Sequence, residues 1–216
     1  MDAFQLCLAL GPIAVYLLVF GTLNLSKNPF LVSGTRDAAT LGLALIGFVM
    51  MGPIELFFPD TAFIRFGPYV WVLLVALYML CLALLLLVLR PRIIIYNISG
   101  DKLRPILADL VGQLDPDARW AGDSLTLPNL GVQLHVESQS GMRNVSLVSS
   151  GPKQNHAGWR KLELALDEAL SQFKVSRNPR GVGLVSVGLA IMVFLVWVID
   201  RTPEAVPESL ANIFQL

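Results

Sequence analysis

Two residues on one predicted strand, His135 and Glu137, have the types and spacing to share a proton or to hold half of a metal site. Side chains at i and i+2 stand on the same face of a strand, and imidazole beside carboxylate is a common acid/base arrangement. The same spacing arises on any alternating strand with one wet face, and the sequence favours that plainer reading. His156 stands at the start of a predicted helix, where an exposed helix-end residue is expected. Cys7 and Cys81 lie far apart inside apolar runs, without a CxxC or Cys/His spacing, so they read as small buried hydrophobes rather than as a disulfide or zinc site.

Glu55 is the one acidic residue inside a predicted membrane crossing, and it is the candidate for an intramembrane function. Arg65 in the connection that follows is its natural partner. The position of Glu55 beside Pro53 and three residues before Phe58 places it at headgroup depth, where water reaches it. Gly181-Val182-Gly183 has no strand before it and does not make a dinucleotide loop. Walker, GxSxG and HExxH sequences are missing from the chain. No catalytic, cofactor-binding or metal-ligating set is assigned, and enzymatic activity is not expected. Asn97-Ile98-Ser99 and Asn144-Val145-Ser146 match the glycosylation pattern but fall in the stretch assigned below to the cytosol.

The elements that would position these residues follow from composition. The chain is 55% hydrophobic and 15% charged, well off the soluble balance of about 25% charged. Its net charge of zero gives no reason to expect nucleic acid as a partner. Four apolar runs, about 6–25, 38–58, 69–89 and 182–199, have the length of a bilayer crossing at ~1.5 Å per helical residue. The first lacks the basic leading region of a cleaved signal. In the second, Ala38, Gly42, Gly47 and Gly52 are small positions where another helix can approach closely. The fold expected is a multi-pass α-helical membrane protein of four transmembrane helices with an inserted α+β domain.

Lys27, Arg36, Arg90, Arg92, Lys174, Arg177 and Arg180 gather at one side of these crossings, against Arg65 and Arg201 at the other. The positive-inside rule then makes residues 90–180 cytoplasmic and both termini external, in the cell membrane. Phe57, Phe58, Tyr69, Trp71 and Trp197 fall at the outer interface expected for aromatic rings.

Between Arg92 and Arg180 the pattern becomes that of a water-compatible domain. Ile93–Tyr96 is a β-branched run. Leu103, Ile106, Leu107, Leu110 and Leu114 recur at helical spacing until Asp115-Pro116-Asp117. Short strands follow at 118–121, 124–127, 132–137 and 144–149, with Val132, Leu134 and Val136 facing one way and Gln133, His135 and Glu137 the other. A last helix, about 156–173, carries Trp159, Leu162, Leu166, Leu170 and Phe173 on one stripe. The expected domain is an antiparallel sheet of four or five strands with both helices on one face. Beyond Ile199, Leu210, Ile213 and Phe214 share one face of a short amphipathic tail.

The function expected is the anchoring of a small cytosolic interaction or regulatory domain at the membrane. The alternative is a small oligomeric transporter or channel subunit using the membrane helices and Glu55. The expected partners are the lipid bilayer, a protein that docks on the cytosolic domain and, for the transport reading, further copies of this chain.

Overall fold

The structure, a computed structural model, describes residues 3–51, 67, 69–139, 143–152 and 154–202. The chain divides into two units, one formed by Gly21–Asp37 and Leu89–Val182, the other by Met1–Phe20, Ala38–Val88 and Gly183–Leu216.

The first unit is built on a six-stranded antiparallel sheet. Its strands are β1 (Phe30–Ser33), β2 (Arg92–Tyr96), β3 (Arg119–Ala121), β4 (Ser124–Leu127), β5 (Val132–Gln139) and β6 (Asn144–Ser149). They lie in the order β1-β2-β6-β5-β4-β3. Three hairpins in succession, β3–β4, β4–β5 and β5–β6, follow from turn chemistry. Gly122 at φ +63° opens the two-residue turn before Ser124, and Gly131 at φ +62° closes the Pro128 turn through its amide to the Pro128 carbonyl at 3.2 Å. Asn97, at φ +66°, takes the left-handed conformation that Asn tolerates and turns the chain out of β2.

The helices α4 (Gly100–Leu114) and α5 (His156–Ser171) share one core with one sheet face. Leu103, Leu107 and Val111 of α4 and Trp159, Leu162, Leu166 and Leu170 of α5 pack with Ile93, Ile95, Leu125, Leu127, Leu134, Val145 and Leu147. The alternation in the strands assigns each of these to the covered face, and the three-to-four spacing in the helices supplies the matching stripe. Asn155 caps α5, its side-chain oxygen accepting from the Ala157 amide at 2.9 Å. The sheet has one strand more than expected. The additional strand is Phe30–Ser33, between the first two apolar runs, which pairs Phe30 with Tyr96 and Ser33 with Ile93. Four residues carry too little periodicity to announce a strand, and their partners lie some sixty positions away.

The second unit is helical. Its helices are α1 (Ala3–Leu25), α2 (Gly34–Val49), α3 (Tyr69–Val88) and α6 (Arg180–Arg201), of which α1, α2 and α6 begin or end in the sheet unit. Two of the small positions singled out in the sequence take close neighbours. A Cβ on Gly47 would collide with the Leu8 carbonyl of α1, and the Gly42 carbonyl accepts from the Tyr78 hydroxyl of α3 at 2.7 Å.

The four-crossing architecture is corrected here. Among the described residues two helices are long and apolar enough to cross a membrane, Gln5–Leu25 and Arg180–Arg201. A further apolar helical stretch among the described residues is Val72–Val88 of α3, and α2 is described for 16 residues. α2 also opens with Arg36 and Asp37 in its first turn. Only 17% and 11% of the two long apolar windows are buried, which separates them from the core helices of a soluble fold. The chain is thus compatible with a membrane location through two helices. Residues 52–66, with the rest of the segment expected to run to Phe58, lie outside the described residues, as does the tail from 203 onward.

Candidate functional site

The sheet register sets the residues of the face opposite α4 and α5 side by side; Ile94 and Tyr96 of β2 on this face are buried, and it is open over β3–β5. Ser124, His135, Val148 and Arg92 form one row, Glu137 and Ser146 another, and Arg119, Thr126 and Gln133 a third. His135 and Glu137 therefore do share a face. The Nδ1 atom of His135 lies 3.2 Å from the Ser124 hydroxyl. Serine beside histidine supplies the nucleophile and base of a triad, but the arrangement requires a third group to orient the imidazole and a cavity to hold a substrate. Glu137 makes no side-chain hydrogen bond or ion pair among the described residues, and both His135 and Glu137 are exposed on the open strand face. The geometry is that of a hydrogen-bonding surface.

Two of the concavities among the described residues lie on the helix side. A cleft of about 250 Å³ runs between the first turns of α4 and the β3–β4 hairpin. Arg104 occupies its edge, donating to the Asp123 carboxylate at 3.1 Å and to the Gly122 carbonyl at 2.9 Å, with its guanidinium 5.8 Å from the Trp120 ring centre. The guanidinium is thus already committed to the hairpin it braces. An open groove of about 770 Å³ follows α4 and the end of α5. Pro105, Ile106, Leu110, Phe173 and Val175 line it, with Lys102, Asp109 and Lys174 at its rim. Neither hollow includes His135, Glu137 or His156.

Glu55 and Arg65 lie outside the described residues. His156 is the exposed first residue of α5. Cys7 is partly buried and Cys81 exposed, each a free thiol on a helix. No group of three or more His, Cys, Asp or Glu side chains that would hold a metal ion occurs among the described residues.

Two features were missed in the sequence. Asn24 and Asn178 are both buried; the Asn178 amide donates to the Asn24 carbonyl at 3.2 Å, and the two side chains meet at 3.4 Å. The available signal was a polar side chain near the end of an apolar run, which burial makes costly unless it is paired. Asp115 does more than stop a helix. It is fully buried, and its carboxylate accepts from the amide and side-chain nitrogen of Asn129 at 2.9 and 2.7 Å and from the Asp117 amide at 3.1 Å. It therefore ties the end of α4 to the β4–β5 turn.

Comparison of the chain with protein-family models, with curated proteins and with solved structures finds no match in any of the three. The reading of its function rests on its own residues.

Proposed function

We propose that this chain is a membrane-anchored interaction module, with α1 and α6 as the anchors and the sheet unit as the part that meets a protein partner. The observation that carries the reading is the open part of the sheet face opposite α4 and α5, over β3, β4 and β5. A unit with a core of its own leaves Arg119, Gln133, His135 and Glu137 exposed there, with Ser124 and Thr126 half-buried between them. A mixed, hydrogen-bonding face of this kind suits a non-obligate protein partner, whose interfaces are about as polar as ordinary surface.

Orientation follows from charge. The ends of the two candidate spans that enter the sheet unit are flanked by Lys27, Lys174, Arg177 and Arg180, while the far end of α6 carries Arg201. The positive-inside rule then assigns the sheet unit to the cytoplasm, in the cell membrane, with both termini outside. Glu55 carries no second reading, since it lies outside the described residues.

The test is capture of partners by the full-length chain in detergent, compared with a variant bearing Gln133→Ala, His135→Ala and Glu137→Ala. A partner held by the native chain and lost by the variant supports the reading. Identical capture by both, or none at physiological salt, defeats it. Cleavage of the sheet unit by protease only from the outer face of sealed vesicles would reverse the orientation.

A further inference from the structure

The sheet unit gathers cations from two distant parts of the chain. The Val175 amide donates to the Lys27 carbonyl at 2.7 Å, and three residues on, the Asn178 amide reaches the Asn24 carbonyl. Arg143, from the β5–β6 connection, donates through Nη1 to the Ser176 carbonyl at 3.2 Å, the Ser176 hydroxyl at 3.1 Å and the Arg177 carbonyl at 3.3 Å. Gly181 permits the approach, since a Cβ there would lie 2.8 Å from the Gly21 carbonyl oxygen and 2.9 Å from Leu25. These bonds hold residues 21–29 against residues 171–182, two segments that contain no Asp or Glu.

Lys27, Lys174, Arg177 and Arg180 project from these segments. All four are exposed and none is in an ion pair among the described residues. Like charges held together by a fixed backbone repel one another, and an anion between them removes that cost. The positive-inside rule accounts for basic residues near a span, but it does not require them to be pinned into one collar by a buried Asn pair and a guanidinium from another hairpin. Phe30 and Phe173, both exposed, stand on the same two segments or directly beside them and add apolar surface to the charge. The collar also sits where the last turn of α1 and the first turn of α6 meet, the level at which two spanning helices would leave the hydrocarbon.

We propose that this collar binds the phosphate headgroups of anionic phospholipids. The proposal rests on the membrane-anchored reading above. Its chemistry is the charge-assisted hydrogen bond from lysine and arginine to phosphate oxygens.

The test uses the full chain reconstituted in phosphatidylcholine membranes with trace spin-labelled phosphatidylglycerol or spin-labelled phosphatidylcholine. The spectral component of lipid slowed at the protein surface is then measured for each. The native chain is expected to slow phosphatidylglycerol preferentially, with each cation changing the ratio by about fivefold and added salt reducing it. Lys27→Gln, Lys174→Gln, Arg177→Gln and Arg180→Gln together are expected to bring phosphatidylglycerol down to the phosphatidylcholine level while leaving the latter unchanged. Equal slowing of both lipids by the native chain, or an unaltered preference in the fourfold variant, overturns the inference. Loss of the preference in inorganic phosphate but not in sulfate of matched ionic strength also overturns it, in favour of a free-phosphate site. If neither lipid is slowed, it is the membrane anchoring that fails.

Discussion

At the scale of single residues the largest energies belong to groups that are buried and bonded, and in this chain they are not the groups with catalytic potential. Asp115 accepts three hydrogen bonds in a site without solvent. Asp115→Ala would strand the Asn129 and Asp117 donors, at a cost of about 2–3 kcal/mol, while Asp115→Asn would lose only part of this. Chemical denaturation of the full chain in detergent, followed by Trp fluorescence, measures both. A change within error for the alanine variant would show that water replaces the carboxylate freely. His135→Ala, by contrast, removes one exposed contact at 3.2 Å and is expected to leave the unfolding midpoint where it is. The stop signal at Asp115-Pro116-Asp117 was legible in the sequence. That the same carboxylate anchors a turn fourteen residues on was not, because nothing local distinguishes a helix-ending Asp in solvent from one in a core.

At the scale of elements, β1 decides the integrity of the sheet. It covers the outer edge of β2, whose Ile93, Ile94 and Ile95 would otherwise present an apolar strand with free backbone groups. A truncated chain of residues 89–182, which omits β1, is expected to associate through that edge and to elute from size exclusion well above its monomer mass. A monodisperse monomer would show that the edge is protected without β1. In α5, Gly158 passes so close to the Leu130 carbonyl that a Cβ would collide with its oxygen and lie 3.0 Å from its carbon and from Val132 Cγ2. Gly158→Ala sets about 1 kcal/mol of helix propensity against an overlap with backbone that has little room to move. The overlap should win, lowering stability by about 1–3 kcal/mol. A rise in the thermal midpoint would mean that α5 shifts at little cost. The amphipathic helices and the alternating strands were readable because each repeats a period of 3.6 or 2 over several turns or pairs; β1 was not, being shorter than either pattern needs.

At the scale of the whole molecule, the distribution of exposed apolar side chains follows the division into two units. α6 exposes Val187, Leu189, Val193, Val196 and Trp197, a surface suited to lipid. Leu189→Lys, near the middle of Arg180–Arg201, should therefore cost about 2.5–3.5 kcal/mol of membrane insertion. Glycosylation mapping of the helix as it is inserted would show this as a fall in the spanning fraction, and unchanged insertion would argue that Leu189 faces protein or water.

Composition and periodicity, both properties of neighbouring residues, determined by themselves that the chain contains long apolar helices and that residues 92–180 hold alternating strands with two amphipathic helices. Which helices reach the length of a crossing, the recruitment of Phe30–Ser33 as a sixth strand, the Asn24–Asn178 clasp and the gathering of Lys27 with Lys174, Arg177 and Arg180 were decided by the tertiary structure alone. Each depends on where a segment starts and stops in space, or on bonds between residues separated by tens to more than a hundred positions. A local pattern reports which face of an element is apolar; it holds no record of the distant segment that will cover or pair with it.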